Sequence, residues 1–425
     1  MHGDALRSLL DPGQPMTTRQ EYAALWLDDL EPFLNQGVTL QTLREWRSGG
    51  SGRIVAATYG GKGSELVVDA ATSGLTTLAA DVLQHAREIP LHATSSEELN
   101  LLRGRLSDAD LDEVRRHGLA AYLVAGPALQ RKLTSKRHAP GERECPEGAA
   151  VVYSAVDWAR CGRTDPISDD TLRALWPGFL QAGIGPNDER FAIGLEWALR
   201  PVAATIALLQ DDHGYRAYDY VIRLVHEQAT AAPPRDPVWA AAIDSATAAE
   251  ASAVGLAAYT HDRLDDAAAA FTRARDSSTT DLAASAGFNL GVVLAQLGRP
   301  HEELAAYQQL IDDYRDDPSP ALREQVAKAL YNQGIALGQL DRPADAVAAY
   351  QQLIDDYRDD PSPALREQVA MALYNQGVAL RMMGRPADAV AAYQQLIDDY
   401  RDDPTPALRE AVARATAALQ EAGGR

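Results

Sequence analysis

A segment of 30 residues occurs twice, almost unchanged, toward the end of this chain. Residues 305–334 read AAYQQLIDDYRDDPSPALREQVAKALYNQG, and residues 348–377 repeat them with one difference, Met371 standing where the first copy has Lys328. A third, partial copy opens at Ala391, so Tyr307, Tyr350 and Tyr393 recur with a period of 43. A unit of this length encloses no core of its own. Stacked on its neighbours it buries a continuous one, so the period constrains residues from about 250 onward to a stacked array.

Each unit reads as two helices. Across 320–339, Leu322, Val326, Leu330 and Leu337 keep helical spacing, and Ser319 before Pro320 suits an N-cap followed by a first-turn proline. The break Leu340-Asp341-Arg342 leads to Pro343 and a second helix through Tyr357, with Ala346, Tyr350, Leu353 and Ile354 as its buried stripe. The acidic run from Asp312 to Asp317 reads as a solvated helix end.

These residues resemble the tetratricopeptide repeat, which places a small residue in the first helix, an alanine 12 residues on and an aromatic 16 on. Gly255, Ala267 and Phe271 fit, with a further alanine at Ala274, as do Gly334, Ala346 and Tyr350, and Gly377, Ala389 and Tyr393. Gly291 and Tyr307 fit, but Glu303 holds the alanine place. The family period is 34; the extra residues, around 316–321, are expected to lengthen the loop and the first helix. Four units are expected from about 250 to 406, closed by a last helix over 406–422. The resemblance implies a groove for a protein or peptide, lined from the first helices by Phe288, Asn289, Tyr331, Asn332, Tyr374 and Asn375. Packing between helices is the other reading of the same residues.

Composition narrows the partners. The chain has 425 residues and a formal charge of −20, with four lysines, Lys62, Lys132, Lys136 and Lys328. So acidic a chain repels phosphate backbones, and nucleic acid is not expected as a partner. No apolar run reaches 18 residues, so no membrane span is expected. Met1-His2-Gly3-Asp4 opens no basic-then-apolar leader. Cys145 and Cys161 make neither a disulfide framework nor a CxxC pair, and a cytoplasmic location is the expectation. Neither HExxH nor GxSxG occurs.

The first half reads differently. Ala23–Leu27 is an apolar strand-like run ending in Asp28-Asp29, residues 39–46 are helical in pattern, and RIVAATY at 53–59 is a second strand. Strand, helix, strand is consistent with a parallel α/β sheet. The pair resembles the acidic strand and the sensor strand of P-loop ATPases. By that resemblance Asp28 holds the Mg²⁺ shell, Asp29 positions the attacking water, and Thr58 or Tyr59 takes the sensor place. The GxxxxGK[ST] loop that cradles the phosphates is absent, and Gly60-Gly61-Lys62-Gly63-Ser64 reads as a plain turn. No cofactor is therefore expected for this chain alone, with ATP and Mg²⁺ possible if the loop is supplied elsewhere. Residues 117–133 resemble the proline turn in the lid of signal-transduction ATPases with numerous domains, with Ala125-Gly126-Pro127 near adenine.

Helices at about 148–160, 168–181 and 187–199 precede strands at 203–209 and 215–225 joined by Asp211-Asp212-His213-Gly214, an order that resembles a winged helix. The third helix, NDERFAIGLEWALR, is acid-rich and apolar at its centre, which suits packing better than base readout. The expected architecture is mainly α: a partial P-loop α/β segment over 1–92, a helical lid over 93–145, a winged-helix-like domain over 146–232, and tetratricopeptide repeats with a closing helix over 233–425. The function expected is a non-enzymatic interaction scaffold or signalling regulator, with oligomers possible. The alternatives are a nucleotide-dependent switch and a transcription regulator.

Overall fold

The computed structural model describes residues 22–27, 43–44, 52–57, 96–103, 106, 108–117, 125–203, 206–226 and 232–423. They divide into two compact units, one of Met1–Gln84, Thr247–Ser252 and Arg263–Arg425, the other of His85–Ala246 and Ala253–Asp262.

In the first unit, β1 (Tyr22–Leu27) pairs in parallel with β2 (Gly52–Ala57), Tyr22 opposite Gly52 and Leu27 opposite Ala57. A parallel pair needs a crossover between its strands, and 24 residues separate β1 from β2 in the sequence.

The second unit is helical around one small hairpin. Its helices are α1 (Ser96–Leu102), α2 (Asp108–His117), α3 (Gly126–Ser135), α4 (Pro146–Arg160), α5 (Asp169–Leu175), α6 (Asp188–Leu199), α7 (Asp219–His226) and α8 (Asp236–Ser245), with α9 (Ala248–Thr260) reaching its last segment. Prolines at the first turns of α3, α4 and α8 have no amide to leave unpaired there. Ser168 caps α5 by accepting from the Thr171 amide, and Asn187 caps α6 by accepting from the Arg190 amide at 2.8 Å. The helix expected over 168–181 stops at Leu175 and tightens into a 3-10 turn over Trp176–Phe179, where Pro177 can donate no helical hydrogen bond.

Two helices cross at glycine contact distance. A Cβ on Gly148 of α4 would lie 2.2 Å from the Trp197 ring, and one on Gly194 of α6 would lie 2.8 Å from the Glu147 carbonyl. Lys132 is buried beside this crossing. Its Nζ donates to the Arg200 carbonyl at 2.6 Å and lies 4.8 Å from the Trp197 ring centre. Burial, helped by the charge of Arg200, lowers its pKa to about 8. Cys145 and Cys161 are free and buried.

The hairpin corrects the sequence reading. Its strands are short, β3 (Leu209–Asp211) and β4 (Tyr215–Ala217), turning at His213 and Gly214 with positive φ. Of the strand expected over 203–209, only an isolated Ala203–Ile206 bridge precedes β3. The strand expected to continue to Val225 becomes α7. The β-branched run there reads as strand, but Val221 and Val225 are buried one helical turn apart while Arg223 is exposed. Asp219 in the first turn complements the helix dipole.

The repeats occupy the rest of the first unit: α10 (Leu264–Ala274), α11 (Thr280–Gln296), α12 (Pro300–Tyr314), α13 (Pro320–Gln339), α14 (Pro343–Tyr357), α15 (Pro363–Met382), α16 (Pro386–Tyr400) and α17 (Pro406–Gly423). Each helix packs on the next, and α11, α13 and α15 also meet the helix two places on, which is the pattern of a solenoid. The extra length over the family period is more widely spread than expected. First helices grow from 17 residues in α11 to 20 in α13 and α15, and second helices from 11 in α10 to 15 in α12, α14 and α16. Within each pair the first helix ends on a left-handed residue, Gly298, Asp341 or Gly384. The next amide then reaches back to a leucine carbonyl, as Arg342 does to Leu337 at 2.9 Å.

Candidate interaction surface on the repeats

The family spacing has a direct packing cause. A Cβ on Gly291, Gly334 or Gly377 would lie 2.3, 2.4 or 2.5 Å from the ring of Tyr307, Tyr350 or Tyr393. Each glycine thus admits the tyrosine of the following helix against its backbone, and all three rings are buried. A second aromatic from the first helix joins each ring, with centroid separations of 5.9 Å for Phe288–Tyr307, 6.1 Å for Tyr331–Tyr350 and 5.6 Å for Tyr374–Tyr393. Burial raises the hydroxyl pKa of Tyr307 and Tyr350 above the ordinary phenol range.

Polar side chains then tie one repeat to the next. The Asn332 amide donates to the Tyr307 hydroxyl at 3.2 Å, and the Asn375 amide donates to the Tyr331 hydroxyl at 3.0 Å. Gln333 donates to Gln308 at 2.9 Å and Gln376 to Gln351 at 2.8 Å. Arg315 forms two bonds to the Asp356 carboxylate, at 2.8 and 3.0 Å, and Arg358 reaches Asp399 at 2.8 Å. Arg323 pairs with Asp360 and Arg366 with Asp403. The acidic run is therefore more than a solvated helix end. Asp312, Asp313 and Asp316 are exposed, but Arg315 bridges to the next repeat. Asp317 accepts from the Ser319 amide at 2.8 Å and sets the turn into α13, while the Ser319 side chain makes no capping bond.

The six residues expected at the groove fall into two groups. Phe288 and Asn289 are buried, Asn289 at 1% exposure. Tyr331, Asn332, Tyr374 and Asn375 are half-buried, and both asparagine amides are engaged between repeats. The guanidinium of Arg414 on α17 lies 4.2 Å from the Tyr374 ring centre, a cation–π contact that the sequence alone does not signal because it joins elements 40 residues apart.

Glu303, the departure from the repeat pattern, is buried where Ala346 and Ala389 stand in the later repeats. Burial pushes its carboxyl up to about 7. The second repeat departs again at Ala283 and Gly287, where the third and fourth carry Val326 and Leu330, then Val369 and Leu373. A cavity of about 60 Å³ opens there, lined by Gly287, Ala283, Leu310, Gln309 and Arg275, whose Nη1 donates to Gln309 at 2.8 Å.

Of the residues expected near nucleotide, Asp28, Asp29, Thr58 and Tyr59 lie outside the described residues. Gly126 and Pro127 open α3 and are buried behind Ala125, which is left-handed at φ 55°. Among the described residues no group of His, Cys, Asp and Glu is placed to hold a metal ion, and no helix is long and apolar enough to cross a membrane.

Residues 253–318 and 327–404 match the family model of the tetratricopeptide repeat. The C-terminal part of the chain therefore carries tetratricopeptide repeats, in a helical solenoid whose glycine–tyrosine contacts explain the family spacing. No curated protein and no solved structure matches the chain.

Proposed function

We propose that the chain is a protein-docking scaffold that works without chemistry of its own, and that it binds through the first-helix faces of the third and fourth repeats. The observation that carries this reading is duplication. Tyr331 and Tyr374 recur 43 residues apart, half-buried on the first helices, while Asn332 and Asn375 beside them are engaged between repeats. An extended or repetitive protein partner engages both copies at once, and two weak contacts then act as one stronger one. Tyrosine suits the role because it offers a large rigid contact area with a polar tip.

The test uses the full chain with Tyr331→Ala, Tyr374→Ala and the double variant. Proteins crosslinked to each are quantified by mass spectrometry after circular dichroism has shown the helical content to be kept. Loss of the same partner in both single variants, and more completely in the double, supports the reading. A partner list unchanged in the double variant removes it.

A second reading concerns the first 92 residues. The parallel pairing of β1 and β2, with Asp28-Asp29 following β1 directly, favours descent from the nucleotide-binding domain of a signal-transduction ATPase. The three helices and hairpin of the second unit would then be its winged-helix-like part. Titration with a fluorescent ATP analogue, on the chain and on Asp28→Ala, tests it: saturable, Mg²⁺-dependent binding lost in the variant supports a switch, and no binding sets it aside.

A further inference from the structure

Three residues of the first two repeats depart from the later pattern, and all three meet at one cavity. Four residues after its aromatic, each later repeat carries an isoleucine, at Ile311, Ile354 and Ile397, whereas Arg275 follows Phe271. At the places of Ala283 and Gly287 the third and fourth repeats bury Val326 and Leu330, then Val369 and Leu373. Two apolar side chains are thus shortened where a cation is introduced, and the space of about 60 Å³ between α10, α11 and α12 results. A Cβ on Gly287 would lie 3.6 Å from Leu310 Cδ1 and 3.7 Å from Arg275 Cδ, an ordinary contact distance, so apolar carbon forms the floor.

The charged groups around this cavity are of both signs and are not spent on one another. Arg275 Nη1 donates to Gln309 at 2.8 Å, but Nε is buried without a hydrogen-bond partner. A buried donor left open costs free energy until an acceptor reaches it. At the rim Asp276 and Asp313 are exposed, and neither carboxylate has an ion pair among the described residues. The places equivalent to Asp313 are occupied, since Asp356 pairs with Arg315 and Asp399 with Arg358. Arg315 stands eight residues after Tyr307, and eight residues after Phe271 the chain has Thr279, so the arginine that would serve Asp313 is missing. The polar rim belongs to α12 and the end of α10, which are second helices, whereas Tyr331 and Tyr374 lie on first helices.

We propose that this cavity binds a free α-amino acid with a small side chain, such as glycine or L-alanine, independently of the docking role proposed above. The ligand's carboxylate accepts from Arg275 Nε, its ammonium meets Asp276 and Asp313, and its side chain rests on Ala283, Gly287 and Leu310. The lining charges decide the class. A lone carboxylate passes two uncompensated carboxylates at the rim, and a lone ammonium leaves the buried Nε open. Size agrees: a water-sized group needs about 10–15 Å³ of such space, so about 60 Å³ takes about four to six non-hydrogen atoms. By joining the end of α10 to α12, the ligand supplies between the first and second repeats the kind of ionic tie that Arg315 and Arg358 supply between later ones.

Equilibrium dialysis of radiolabelled L-alanine against the full chain tests it, with propionate, ethylamine and L-phenylalanine as competitors. L-alanine is expected to saturate one site with a Kd of about 1 mM or below, within reach of so small a ligand. Propionate and ethylamine each keep one of the two charges, and L-phenylalanine keeps both but exceeds the space. Each is expected to displace the label at least about tenfold less well than unlabelled L-alanine. Arg275→Ile carries the residue of the later repeats and Asp276→Asn/Asp313→Asn keeps the shape of the rim. Each variant is expected to lose at least about tenfold in affinity with its helical content kept in circular dichroism. Saturating L-alanine should also raise the melting temperature of the unaltered chain and not of either variant. The proposal is overturned by an absence of saturable binding at tenfold the expected Kd, or by a folded Arg275→Ile chain that binds as before. Competition by propionate equal to that of L-alanine would make this a simple anion site, and equal competition by ethylamine a simple cation site; either result overturns it as well. The competition needs only the unaltered chain, so it decides the matter even if a variant fails to fold.

Discussion

Gly334 and Gly338 lie one turn apart on α13, and the same substitution at each has opposite consequences. A methyl group on Gly334 would meet Tyr350 Cε1 at 2.4 Å and Cζ at 2.6 Å, whereas one on Gly338 meets nothing within 4 Å. Replacing a helical glycine by alanine is worth about 0.5–1 kcal/mol through the unfolded chain's lost freedom. At Gly338 that gain stands alone. At Gly334 it is set against an overlap of about 1–1.5 Å with ordinary carbon contact distances of roughly 3.5–4 Å. The ring cannot turn away freely, because it is buried and has Tyr331 at 6.1 Å. Relief requires α13 and α14 to part, and overpacking of this kind costs about 1–3 kcal/mol. Gly334→Ala is therefore expected to destabilise by up to about 2.5 kcal/mol, and Gly338→Ala to stabilise by about 0.5–1 kcal/mol. Urea unfolding of the full chain followed by circular dichroism measures both. In a Tyr350→Leu background the penalty at Gly334 should vanish. If Gly334→Ala stabilises as much as Gly338→Ala, close approach of backbone to ring is not what sets the glycine–tyrosine spacing.

Asn375→Ala leaves the Tyr331 hydroxyl without its donor and should lower stability by about 1–3 kcal/mol in the same assay, a larger loss than a surface amide produces. Glu303 titrates near pH 7 when folded against an ordinary 4.5, so the folded state holds its proton more tightly and loses stability as pH rises from about 4.5 through 7. Glu303→Ala, the residue of the later repeats, should raise the melting temperature at pH 8 more than at pH 5, and an equal gain at both would contradict a buried carboxyl. Gly148→Ala drives a methyl group into the Trp197 ring and should cost about 1–3 kcal/mol, read as a lower thermal midpoint with a change in tryptophan fluorescence. Arg315→Ala, by contrast, breaks an exposed pair and should cost no more than about 1 kcal/mol, less in 1 M salt.

Helices α13, α14 and α17 begin where the sequence places them because a proline opens each one, and apolar residues at helical spacing carry α13 and α14 to their ends. The glycine–tyrosine pairs were legible for the same reason: both partners belong to one repeat, and the spacing itself brings them together. The β3–β4 turn was legible too, but not the length of its second strand, since Val221, Ile222 and Val225 satisfy strand and helix patterns alike until burial chooses between them. The candidate surface was half visible. Sequence alone singles out Tyr331, Asn332, Tyr374 and Asn375 as a repeated face. Whether an asparagine points at a partner or at a neighbour depends on Tyr307 and Tyr331, which lie 25 and 44 residues away along the chain. Local pattern determined the repeats, their helices and their close-packing glycines. Only stacking of one repeat on another decided which polar groups are consumed as ties and which apolar side chains, Val378 and Met382 among them, remain exposed to water, because those fates depend on atoms that periodicity does not encode.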